Sequence, residues 1–163
     1  MQQVCDKKIR VLSGALMSFT YKIDATMGLL YYAGVDTNAA EMFQAENSAS
    51  DDPLRLSNMK IIIDLSKSKL DFSMKDIHDG IKMNRSRMEK GGVLEATAFI
   101  SHSRFAKTLG DTFRLIGEGV PLHFNLFSTL SDATEWLGLA DKTLEIIEIQ
   151  NELMNNLKKN TDV

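Results

Sequence analysis

The chain is poor in the residues that staple, span or punctuate. Cys5 is alone among 163 residues, so no intramolecular disulfide forms and a reduced, cytoplasmic setting is expected. Placed near a terminus, Cys5 reads as an incidental thiol rather than a nucleophile. No apolar run approaches the roughly 20 residues that cross a bilayer. Lys7, Lys8 and Arg10 are followed by residues interrupted at Ser13, Gly14 and Ser18, which is no signal-peptide core. A net charge of −3 argues against a dedicated nucleic-acid binder, which carries a basic excess. His78, His102 and His123 lie far apart and have no companion cysteine, so no zinc site is expected. There is no Gly-x-Ser-x-Gly elbow, phosphate loop or dinucleotide glycine pattern. No cofactor and no metal is expected.

What is present is the patterning of a packed domain, with 44% hydrophobic and 25% charged residues. After a leader over 1–18, Phe19, Tyr21 and Ile23 alternate with polar neighbours as in a half-buried strand. Ala25–Gly28 turns the chain, and Leu29–Ala33 continues as a more buried strand, forming an antiparallel hairpin. A helix starts at Thr37 or Asn38, with Asn38 and Glu41 spaced for a reciprocal cap and Ala39, Met42 and Phe43 as its apolar face. Turn-rich Asn47–Pro53 ends it. Met59–Leu65 is a short apolar, β-branched run suited to a central strand.

Ser73 then stands as N-cap, with Asp76 completing a capping box, and Met74, Ile77, Ile81 and Met88 recur at helical spacing. Gly91-Gly92 breaks this helix and 94–100 is a third interior strand. Ser101-His102-Ser103 open a helix striped by Phe105, Leu109, Phe113 and Ile116, which Gly117-Glu118-Gly119 and Pro121 close. Leu122, Phe124 and Leu126 alternate as in an edge strand. Ser131-Asp132 caps a short helix carrying Trp136 and Leu137, ended by Gly138. Asp141–Lys159 is amphipathic, with Leu144, Ile147, Ile149, Leu153 and Leu157. The order β-β-α-β-α-β-α-β-α-α implies one α/β domain over 19–139, with a mostly parallel sheet entered by a hairpin. A C-terminal helix and tail cover 140–163.

Several side chains invite chemistry. Ser73 sits at the positive end of a helix dipole, which suits a plain cap or a phosphorylatable, anion-binding switch. Asp64 and Asp71 flank a loop holding Ser66, Lys67 and Lys69. Paired carboxylates there serve acid–base chemistry or a metal, with loop capping as the plainer reading. Ser101, His102, Ser103 and Arg104, after a strand at the carboxyl edge of the sheet, suit an anion through backbone amides and the guanidinium, or a cap. Lys82, Arg85, Arg87 and Lys90 read as a solvated helix end or a contact for an acidic partner. Ile146, Ile149, Leu153 and Leu157 step by three, four and four residues, as in the seam of a homodimer or in packing on the domain itself.

Ile61-Ile62-Ile63-Asp64-Leu65-Ser66, then Asp71-Phe72-Ser73, then Phe124-Asn125-Leu126-Phe127 with Ala133-Thr134-Glu135-Trp136-Leu137-Gly138, occur in an order that resembles the STAS domain. The likeness is to the SpoIIAA-like anti-sigma-factor antagonists, in a divergent stand-alone bacterial branch, and covers about residues 19–139. The resemblance implies a non-enzymatic regulatory or protein-interaction module, in which the serine at position 73 is the phosphoacceptor and controls a regulatory partner. Met74-Lys75-Asp76 replace the small, glycine-containing turn that the regulatory branch carries there, and a carboxylate three residues on repels a phosphate. A related lipid-transfer fold shares the layout, so the alternative is a carrier of a small apolar ligand or lipid, lined by Met42, Phe43, Met74, Phe105 and Phe113. A third reading is an enzyme using Asp64, Asp71 or His102.

Overall fold

The structure, a computed structural model, describes residues 17–69, 72–90, 95–116 and 123–161. Strand β1 (Phe19–Asp24) turns into β2 (Leu29–Val35) where the Asp24 carboxylate accepts the Met27 amide at 3.0 Å and Gly28 takes a φ of 67°. Glycine enters that region at little steric cost, so the turn closes without an Asn-Gly pair. The two strands pair antiparallel, from Phe19 opposite Gly34 to Asp24 opposite Leu29.

From β2 onward each strand is added on the same side. β3 (Lys60–Lys67), β4 (Thr97–Ile100) and β5 (Phe124–Phe127) each run parallel to the strand before, so spatial order equals chain order. The connecting helices are α1 (Ala39–Ser50), α2 (Met74–Glu89) and α3 (Arg104–Ile116). Right-handed crossovers that always step one way place all three on a single face of the sheet. The opposite face carries Leu29, Tyr31, Ala33, Ile62, Ala98 and Ile100, which no crossover covers. Helices α4 (Leu130–Trp136) and α5 (Thr143–Thr161) return to bury it. Fold class, element order, entry hairpin and additional C-terminal helix are those expected from the sequence.

Four local expectations are corrected. Ile146, Ile149, Leu153 and Leu157 are 0, 6, 2 and 2% exposed, packed in the core of their own domain. Each contributes roughly 2 kcal/mol by leaving water, and none is left at a surface, so the homodimer seam through these four is overturned. Leu144, counted in the apolar stripe, is instead 79% exposed. The cap of α4 is Thr129 rather than Ser131: its hydroxyl accepts the Asp132 amide at 3.1 Å and donates to the Asp132 carboxylate at 2.7 Å. Ser131 has only Thr134 at the matching position, which returns no carboxylate bond. At α1, Asn38 accepts the Glu41 amide at 3.0 Å, but the Glu41 carboxylate turns to Ser18 and Thr37. No helix among the described residues is long and apolar enough to cross a membrane.

Candidate functional site

On the face covered by α1, α2 and α3, the period-2 alternation of β3 aims Ile61, Ile63 and Leu65 one way and Ile62 and Asp64 the other. Helix α1 closes tightly on this face through Ala45 and Ala49, which are 1% and 0% exposed. Helices α2 and α3 leave a cavity of about 210 Å³ between themselves and the sheet. Its floor is Ile61, Ile63 and Leu65 with Phe99 and Leu126, and its walls are Met42 and Phe43 of α1, Met83 of α2, and Ala106 and Gly110 of α3. Phe99 meets Phe124 edge-on with ring centroids 5.8 Å apart, and Phe19 stacks on Tyr32 at 5.5 Å. Such ring pairs are worth about 1 kcal/mol beyond area burial and stiffen the lining.

Of the apolar side chains singled out from the sequence, Met42 and Phe43 line this cavity. Met74 does not. As the first residue of α2 it points outward and is 54% exposed. The side chains of Phe105 and Phe113 lie outside the described residues.

One end of the cavity is ionic, and the sequence did not reveal it. Arg55 holds Glu46 at 3.0 Å and Glu95 at 3.6 Å; Arg87 pairs with Glu46, reaches Glu95 at 3.9 Å and donates to Ser50 at 3.2 Å. The Tyr32 hydroxyl donates to Glu46. The side chains of Arg55 and Glu95 are only 9% and 7% exposed. Two guanidiniums against two carboxylates sum to zero charge. Burial holds the Tyr32 hydroxyl above its ordinary pKa, opposed by the charges of Arg55 and Arg87, so it stays a protonated donor. The sequence groups Arg87 with Lys82, Arg85 and Lys90, which are exposed. The missed signal is spacing: Ile77, Gly80, Asn84 and Arg87 recur at three, four and three residues, and all face the cavity.

At the other end, Ser73 and Asp76 form the expected capping box. The Ser73 hydroxyl donates to the Asp76 carboxylate at 2.7 Å, the Ser73 amide does so at 2.8 Å, and the Asp76 amide returns a bond to the hydroxyl at 3.2 Å. The Ser73 hydroxyl, then its amide, hold the Asp76 carboxyl below its ordinary value of 3.8. Because the folded pKa lies below the unfolded one, this contribution is present above the ordinary value and lost as pH falls through the folded value. Ser73→Ala is expected to cost about 1 kcal/mol at neutral pH. The gap between variant and wild type should narrow on acidification, as measured by urea unfolding at pH 7 and pH 3.

The remaining candidates are separated by the sheet. Asp64 is 0% exposed and faces α5, where its carboxylate accepts the Tyr31 hydroxyl at 2.8 Å, the Gln150 amide at 2.6 Å and the Ser66 backbone amide at 2.9 Å. It is therefore withdrawn as a surface contact or an acid–base pair member. The alternation that turns Ile61 and Ile63 to one face commits Asp64 to the other. Asp71 lies outside the described residues. Ser101 is buried at 6% exposure and lines the cavity, its hydroxyl accepting the Ser103 amide at 3.2 Å ahead of α3; His102 and Arg104 are exposed. Ser101 thus acts in the turn into α3. Among the described residues, no group of three His, Cys, Asp or Glu side chains is arranged to hold a metal ion.

No protein-family model matches the chain, and no curated protein matches it. Among solved structures it is similar to an uncharacterized protein of the DUF3478 family with a SpoIIAA-like fold from Shewanella loihica PV-4. That match has 17% identity and a TM-score of 0.48, and covers 78% of this chain and 99% of the other. At this level the likeness assigns neither activity nor ligand.

Proposed function

We propose that the protein binds a small apolar molecule in the cavity between the sheet and helices α2 and α3. The observation that carries this reading is the cavity itself, about 210 Å³ and lined by aliphatic, methionine and aromatic side chains. Apolar walls that face unfilled space of that size forfeit packing contacts with a neighbour. A ligand that fills it restores those contacts. Native mass spectrometry of freshly purified protein tests the reading: a retained molecule, released on denaturation, is the expected result. A bare polypeptide mass that also fails to take up any added apolar probe would sink it.

A second reading, a regulatory or protein-interaction module, is supported by the exposure of Ser73 beside Met74 at the start of α2. Phosphorylation there would remove the hydroxyl bond to Asp76 and set two anions against each other, loosening the first turn of the helix. Phosphosite analysis of protein isolated from its source cell, followed by partner capture with and without Met74→Asp, tests it. An unmodified Ser73 and an unchanged partner profile would remove that reading.

A further inference from the structure

Resting on the cavity reading above, we infer that the ligand is an uncharged, compact amphiphile, a short alcohol or similar neutral molecule, rather than a carboxylate or an amine. The argument is one of charge balance. The groups at the polar end are already matched: Arg55 and Arg87 lie between Glu46 and Glu95 at zero net charge, and Tyr32 is committed to Glu46. An anionic headgroup entering here finds no guanidinium without its own carboxylate, and it meets two buried negative charges. A cationic headgroup meets the mirror problem with Arg55 and Arg87. Taking an ion out of water against a satisfied cluster carries a desolvation cost that nothing repays. Among the described residues, the carboxylate lining the opposite end is that of Asp76, which is held by Ser73.

A hydroxyl has no such difficulty. It donates to a lone pair on Glu46 or Glu95 and accepts from Arg87, whose side chain keeps 25% exposure, without changing the charge of the cluster. Size narrows the class further. A cavity of about 150 Å³ takes benzene, so one of about 210 Å³ takes roughly eight or nine heavy atoms. Long-chain lipids exceed that.

Titration of the isotope-labelled full chain with 1-octanol, octanoate and octylammonium at pH 7, followed by NMR, tests this. Saturable octanol shifts centred on Met42, Gly110 and Leu126, with affinity at least about tenfold above both ions, are expected. Equal or tighter binding of octanoate or octylammonium would overturn the charge argument while leaving the cavity reading intact. Binding by none of the three, with no shift at those residues, would overturn the cavity reading itself. In Arg87→Met, which leaves the cluster net negative, octylammonium should gain at least about fivefold relative to octanol. An unchanged ratio would show that the cluster does not select the ligand.

Discussion

Asp64→Ala is expected to destabilise the protein by about 3 kcal/mol. For a chain of this length, that lowers Tm by roughly 6–12 °C. The carboxylate is 0% exposed and accepts three bonds, from β2 through Tyr31, from α5 through Gln150 and from its own strand through Ser66. Alanine removes the acceptor and leaves the Tyr31 hydroxyl and Gln150 amide inside the core. Burial, and then the charge of Asp64, hold the Tyr31 hydroxyl above its ordinary pKa, so it remains a donor in need of a partner. Asp64→Asn keeps one acceptor oxygen but turns an N–H group toward donors, and should fall between wild type and alanine. Urea unfolding followed by circular dichroism measures both. An alanine variant within 1 kcal/mol of wild type would mean that these three bonds add little to what the apolar stripe and the Lys22–Glu152 pair already give α5.

Arg55→Met should cost about as much, roughly 3 kcal/mol, because breaking a buried pair strands the partner's charge. Arg87 alone would then face both Glu46 and Glu95, the latter with a side chain 7% exposed. Adding Glu95→Gln to Arg55→Met removes the stranded charge and should recover a good part of the loss, with a coupling of 1 kcal/mol or more in the double-mutant cycle. The control is Arg85→Met: Arg85 is exposed on α2, two residues from Arg87, and its loss should stay within about 0.5 kcal/mol of zero. If Arg55→Met and Arg85→Met cost the same, the ionic end of the cavity is solvated and the cluster has no special role.

The contrast between Arg85 and Arg87 shows where the sequence stops being informative. Two residues apart on one helix, they carry the same charge and the same local propensity. Only their angular position relative to Ile77 and Gly80 separates them, and that matters only once the helix has a partner surface. Asp64 is similar. Its strand was legible as a central, doubly covered one, and the alternation of Ile61, Ile62 and Ile63 implied opposite faces. Which face would meet α5, and that Gln150 would arrive from 86 positions away, had no local signature.

The a/d spacing of Ile146, Ile149, Leu153 and Leu157 marks an apolar stripe but does not name what covers it. Three crossovers stepping in one direction leave one face of the sheet bare, and covering that face within the chain claims the helix before a second copy can.

The amino-acid sequence by itself determined the elements, their order, the parallel sheet with its entry hairpin, and the Ser73–Asp76 cap. Those depend on periodicity, turn chemistry and hydrogen bonds between residues three or four apart, all of which act over short stretches of chain. Tertiary structure alone decided that α2 and α3 stand off the sheet, that four charged side chains from α1, α2, the loop before β3 and the approach to β4 neutralise one another at the end of the resulting cavity, and that the last helix belongs to the core. Volume left unfilled, and charge balanced between distant segments, are properties of the packed whole and have no period along the chain.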